Sequence, residues 1–243
     1  IGLLQDNYGP YTAMGGVSAA MRDANNINFL NPASYTALDS NRFYIQFGIT
    51  GEYVGIATNK ESSTYRVAQN AALNMALRLY PNLFASFGFN QRSDIGYDLH
   101  YKERINGSVD EYYNQQISGN GGLNDFYLGL AYKVKNLSVG LNTSLVFGNI
   151  EKRVTLIPAV TDSYYINARN KISVHDVIFN LGLQYLFTLS PKSKLTLGTS
   201  FNLGTDLAAK KDFTSYKINS STSDQQTLED EVLRRGGIKY PFR

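Results

Sequence analysis

The sequence predicts an all-β chain folded as an antiparallel transmembrane β-barrel, and three observations predict it. Apolar and small polar residues alternate with a period of two in seven separate stretches. The composition, with 18 Tyr, 13 Phe and 21 Gly but no Trp and no Cys, suits strands and tight turns rather than helices. The links between stretches fall into a short set and a long set that alternate along the chain, as they do in outer-membrane barrels.

The clearest stretch runs from Asp125 to Gly148. Phe126, Leu128, Leu130 and Tyr132 alternate with Tyr127, Gly129 and Ala131, and after a short link Leu137, Val139, Leu141, Leu145 and Phe147 alternate with Ser138, Gly140, Asn142 and Ser144. A soluble sandwich would bury the apolar row, whereas a barrel turns it to lipid and leaves the small polar row lining the lumen. The polar row is small and uncharged at mid-strand in the neighbouring stretches too, which favours the barrel.

Residues 1 to 40 do not read as strand. Met14, Val17 and Met21 share one helical face, but Gly15 and Gly16 each cost a helix about 1 kcal/mol relative to alanine. Asn31, Pro32 and Ala33 then break any helix, because proline lacks the donor and restricts the residue before it. The expectation is an N-terminal plug over residues 1–40 and a partial barrel over 41–243.

The first strand sets Phe43, Ile45, Phe47 and Ile49 against Tyr44, Gln46 and Gly48. The second sets Ala71, Leu73, Met75, Leu77 and Leu79 against Asn74, Ala76 and Arg78. The third sets Leu83, Ala85, Phe87 and Phe89 against Phe84, Ser86, Gly88 and Asn90 and continues weakly to Tyr101. The stretch described above supplies the fourth and fifth. Val177 to Leu189 gives the sixth, and Leu195 to Leu203 the seventh. The links at 80–82, 134–136 and 190–194 are short, those near 102–122, 151–173 and 208–237 long and polar, and the one near 59–64 intermediate. In the last long link, the capping-box spacing of Ser223 and Gln226, the i,i+4 pairs Asp230–Arg234 and Glu231–Arg235, and Gly236 and Gly237 as a stop predict a solvated helix. Ile238 onward reads as the approach to an eighth strand. Seven strands leave two open edges, which lipid cannot satisfy, so an incomplete barrel is expected, with any signal peptide already gone before Ile1.

No apolar run reaches the roughly 18 residues of a membrane-spanning helix. A net charge of +3, from 23 basic and 20 acidic residues without a basic stripe, argues against nucleic-acid binding. His100 and His175 have no partners at metal-ligand spacing, and the glycines around Ser118 to Gly122 lack the lysine of a phosphate loop. Calcium at Asp94, Asp98, Asp110 and Glu111 is a minor reading beside solvated loop carboxylates. No catalytic residues, metal or cofactor are expected. Tyr11, Tyr53, Tyr132 and Tyr185 suit an interfacial girdle or ordinary packing. On the inward face, Gln46, Asn74, Ser86, Asn142, Asn180, Gln184, Ser200 and Asn202 are polar and uncharged, and Arg78 is the one charge placed there. Tyr44, Phe84, Tyr127, Val146, Ile178 and Leu186 add apolar patches that form a candidate ligand path.

Thr12 to Met21, with Met14, Gly15 and Gly16 at its centre, followed by Asp23, Ala24, Asn25 and then Asn31, Pro32 and Ala33, resembles the opening of the FadL family of outer-membrane transporters for hydrophobic compounds. The resemblance implies a fourteen-stranded barrel of which about half is present, a small-residue hatch in the lumen, and a third-strand kink, here at Ser86, Phe87 and Gly88, where glycine lets a strand bend. The same fold includes PorV-like proteins of the type IX secretion system. Two functions follow: passive transport of a hydrophobic small molecule across a bacterial outer membrane, or a non-transporting barrel subunit that docks partner proteins. Expected partners are outer-membrane lipid or detergent, a hydrophobic ligand and other outer-membrane or secretion-complex proteins. The assigned facing predicts that Leu141→Arg is damaging and Asn142→Arg mild.

Overall fold

The computed structural model describes residues 17–39, 41–57, 62–104, 112–158, 164–203, 206–219, 222 and 224–239. The seven period-two stretches, with two further strands in what the sequence suggests is a long polar link near 208–237, form one antiparallel sheet of nine strands. They are β1 (Tyr44–Ala57), β2 (Ser62–Tyr80), β3 (Leu83–Arg104), β4 (Tyr112–Val134), β5 (Leu137–Pro158), β6 (Tyr164–Ser190), β7 (Ser193–Asn202), β8 (Asp206–Asn219) and β9 (Gln225–Lys239). The order is β1-β2-β3-β4-β5-β6-β8-β9, with β7 pairing the other half of β6. The N-terminal segment enters as an irregular chain, makes a short 3-10 helix at Pro32–Ala37, and lies against β3, β4, β5 and β6.

Several sequence expectations change here. The links near 102–122 and 151–173 are not long loops: β3 and β4 continue to Arg104 and from Tyr112, and β5 and β6 to Pro158 and from Tyr164. The helix expected at 223–237 is largely β9, paired with β8 from Ile218↔Gln225 to Asp206↔Lys239. Its i,i+4 ion pairs are worth only a few tenths of a kcal/mol each, and a hydrogen-bonded ladder along a whole neighbouring strand outweighs them. Val17 to Met21, the described part of the expected first helix, is a turn closed by Met21 N–H donating to the Ser18 carbonyl at 3.2 Å.

A transverse crease divides the sheet. Ser93, Leu123, Gly148, Val174 and Ala209 are successive partners across β3, β4, β5, β6 and β8. Irregularities collect along this line. The β3–β4 register shifts between Gln91 and Ser93, and the β8–β9 register shifts between Ala209 and Lys211. Gly121 takes φ +109, open to glycine at little cost, and a Cβ there would strike the Asn149 carbonyl. β7 ends at Asn202 and β8 starts at Asp206 just beside the line, while β2 leaves β3 at Ala72↔Asn90.

The two bands carry opposite polarity. Below the crease, toward the short turns, Phe126, Leu128, Leu130, Leu137, Val139, Leu141, Leu181 and Leu183 are exposed on one face. The other face holds the buried Asn74, Ser86, Tyr127, Asn142 and Gln184. Above it, Ile150 and Ile172 pack against a buried cluster of Leu123, Val146, Val174, Ile178 and Leu207, on the side that holds Asn142 lower down β5. Glu151 meanwhile pairs on the opposite side with Arg153 at 2.9 Å and Arg169 at 2.6 Å. In β5 the apolar parity changes from odd (Leu137 to Phe147) to even (Ile150, Val154, Leu156) across Gly148. In β3 the parity persists to Tyr101, and the extra residue at the register shift turns it to the other face instead.

Candidate functional site

The face of the lower band that meets the N-terminal segment carries two apolar clusters and a set of buried polar side chains. Nearest the short turns, Ile27, Tyr35 and Leu38 of the N-terminal segment form one buried cluster with Ala76, Phe84, Tyr127 and Ala131. Among and beside them stand Asp125, Asn142, Ser144 and Asn180: Asp125 lies opposite Val146, and Ser144 opposite Tyr127 on one side and Ile178 on the other, Val146 and Ile178 being members of the apolar cluster at the crease.

Asn31, Pro32 and Ala33 fasten the segment. Asn31 caps the 3-10 helix, its Oδ1 accepting from Ala33 N–H at 3.1 Å, and Pro32 takes the first helical position, where its missing donor costs nothing. The Asn31 amide also donates to the Thr199 carbonyl of β7 at 3.2 Å. Ala33 reaches the sheet backbone because Gly140 and Gly182 face each other across β5 and β6. A Cβ on either would run into Pro32 and Ala33, so this approach demands glycine.

Around that contact the polar face is matched group by group. Asn142 donates to the Phe29 carbonyl at 2.8 Å and accepts from the Tyr35 hydroxyl at 3.0 Å. Arg22 donates to Gln184 Oε1 at 2.8 Å, Thr36 Oγ1 at 2.9 Å and Ser138 Oγ at 3.1 Å. The Gln184 amide returns a bond to the Ala19 carbonyl at 2.9 Å. Ile27 N–H donates to Gln46 Oε1 at 3.1 Å, and Asp39 N–H to the Tyr44 hydroxyl at 3.1 Å. Burial lowers the affinity of Arg22 for its proton, but a guanidinium with three acceptors remains charged. Burial likewise pushes the Tyr35 phenol well above its usual range, which keeps it the neutral donor that Asn142 requires.

The apolar residues read as a ligand path are separated. Tyr44, Phe84 and Tyr127 lie in or against the cluster under the N-terminal segment, Val146 and Ile178 lie in the crease cluster, and Leu186 is half-buried by the short-turn rim. Between the two clusters, Arg92 pairs with Asp125 at 3.2 Å, and a small cavity is lined by Phe29, Leu30, Arg92, Asn142, Ser144, Asn180 and Asn202. Both amide atoms of the buried Asn90, and Oδ1 of Asn74 and Asn180, have no protein partner among the described residues. Such groups suit water and disfavour a hydrocarbon chain.

Met14, Gly15, Gly16, Tyr11, Asp110 and Glu111 lie outside the described residues. Ser86, Phe87 and Gly88 pair without interruption with β2 and β4, and the register shift falls at Gln91–Ser93 instead. Arg78 curls back to the rim, donating to the Tyr80 and Pro81 carbonyls. Asp94 and Asp98 stand on β3, and among the described residues no three His, Cys, Asp or Glu come together. Sequence reasoning missed Arg22, Arg92, Asp125 and the facing glycines. Asp125 was readable, since it shares the parity of Tyr127 and Gly129.

No curated protein and no solved structure matches the chain. The BamG family matches residues 2–241. That match overturns the likeness to FadL-type transporters, which rested on Thr12 to Met21, Asp23 to Asn25, the Asn31-Pro32-Ala33 turn and the alternating strands. The structure accounts for the turn as a helix cap, a proline at the first helical position and a small residue against facing glycines. Matched over nearly its whole length, the chain belongs to the BamG family.

Proposed function

We propose that the chain is part of the wall of an outer-membrane β-barrel and serves as a non-transporting subunit that docks partner proteins of the Bam assembly complex. The family match carries this reading, since the name associates its members with that complex. Two physical features support it. The apolar row on β5 from Leu137 to Phe147, exposed at Leu137, Val139 and Leu141, spans about the 9–11 residues a tilted strand needs to cross the hydrocarbon core. The inward face of the lower band is occupied by the chain's own N-terminal segment, bonded side chain by side chain, and carries polar residues among the apolar clusters.

Purification of the tagged chain from outer membranes in mild detergent tests the reading. The expected result is stoichiometric recovery of Bam-complex subunits. Recovery of the chain alone, together with faster fatty-acid entry into vesicles that contain it, would overturn the proposal.

A further inference from the structure

We propose that the edge of β3 above the crease, from Ser93 to Lys102, accepts one extended strand of a partner subunit. This rests on the docking role and names how docking occurs. β3 stays paired with β4 up to Arg104↔Tyr112, but its ladder with β2 stops at Ala72↔Asn90, and β2 goes on with β1 alone to Ala57↔Ser62. Among the described residues, Ser93 to Lys102 is therefore hydrogen-bonded on one side only. In an antiparallel strand alternate residues turn their N–H and C=O groups to either side, so this edge presents a row of backbone donors and acceptors. Such a row is the template used in strand addition.

The side chains specify the strand that fits. Ile95, Tyr97, Leu99 and Tyr101 alternate with Gly96, Asp98, His100 and Lys102, and Leu99 and Tyr101 are 43% and 46% exposed. Asp94, opposite Gly122, shares the charged face, and Asp98 accepts from the Gln116 amide at 3.0 Å. An incoming strand with apolar side chains over Leu99 and Tyr101 and basic ones beside Asp94 and Asp98 gains cross-strand pairs on both faces. His100 Nε2 lies 3.5 Å from Asp98, and Lys102 shares the face, so the edge repels acidic side chains beside Asp94 and Asp98 and basic ones beside Lys102, and selects as well as attracts. Lipid is the poorer occupant, because it satisfies no backbone group and would meet Asp94, Asp98, His100 and Lys102.

Photo-crosslinking from each position between 93 and 102 of the full chain, in native outer membranes, tests this. Expected are crosslinks to one segment of one co-purifying Bam subunit, with yields that alternate along β3. Asp94→Lys with Asp98→Lys should cut the yield about tenfold while the folded chain keeps its gel mobility before heating. If wild type recovers Bam subunits but the edge crosslinks to nothing, to lipid or to a second copy of this chain, this inference fails and the docking role stands. If wild type recovers no such subunit, both fail.

Discussion

The bands on either side of the crease are made from the same strands yet solve opposite problems. Below it, β5 shows Leu141 to the outside, 41% exposed, and keeps Asn142 within, bonded to Phe29 and Tyr35. Above it, the same strand packs Ile150 inward and places Glu151 outside between Arg153 and Arg169. One chain therefore changes which face is apolar within a few residues of Gly148. The difference teaches that alternation fixes a period but not a direction: direction is set by what each face meets, lipid below under the proposed reading and water above.

The sharpest break in the comparison is a charge placed on the same face of β5 in each band. Leu141→Arg should destabilise by about 2–4 kcal/mol, and Thr155→Arg by less than about 0.5 kcal/mol, as read by unfolding in lipid vesicles. Equal effects would abolish the distinction between bands. Asn142→Arg, mild on the sequence reading, is now expected to be damaging. Asn142 is buried between the Phe29 carbonyl and the Tyr35 hydroxyl, so the change should cost about 1–3 kcal/mol and expose the N-terminal segment to protease.

Glycines separate the bands next. Gly182→Val meets Asn31, Pro32 and Ala33 and should cost about 1–3 kcal/mol, whereas Gly96→Val, which points into open space, should be nearly silent. Arg22→Ala leaves Gln184, Thr36 and Ser138 short of a donor; a loss of about 1–3 kcal/mol is expected in the same unfolding measurement, partly restored by lysine.

The smallest effect belongs to the upper band. Hydrogen bonding from Arg169, opposed in part by desolvation, holds the Glu151 carboxyl below its ordinary range, in a segment outside the apolar band. A depressed carboxylate stabilises the fold above the ordinary glutamate pKa and loses that contribution as pH falls through the depressed value. Glu151→Gln should therefore change stability by only about 0.2–1 kcal/mol at neutral pH, and the gap to wild type should close in acid.

How far the sequence reached can be judged from particular residues. The apolar rows at Phe126 to Tyr132 and Leu137 to Phe147 and the tight turns were legible, because a period of two and turn chemistry are local. β9 was not, because its charged residues satisfy helix spacing as well as strand pairing, and only Thr214, Ser215 and their neighbours on β8 decide between them. The weak pattern of β3 was followed to Tyr101 without a sign that it changes face, since a register shift exists only between two strands. Arg22 could not be matched in advance with Ser138 and Gln184, which lie far along the chain.

By itself, then, the sequence determined the antiparallel strands, the polarity of the lower band and an N-terminal segment of different character, all of which depend on residues near one another in the chain. The tertiary structure decided the crease, the facing of Gly140 and Gly182 against Ala33, the ion pair of Arg92 with Asp125, and the stretch of β3 that, among the described residues, pairs on one side only. Each of these is a contact between distant segments, and its free energy exists only once the sheet has brought them together.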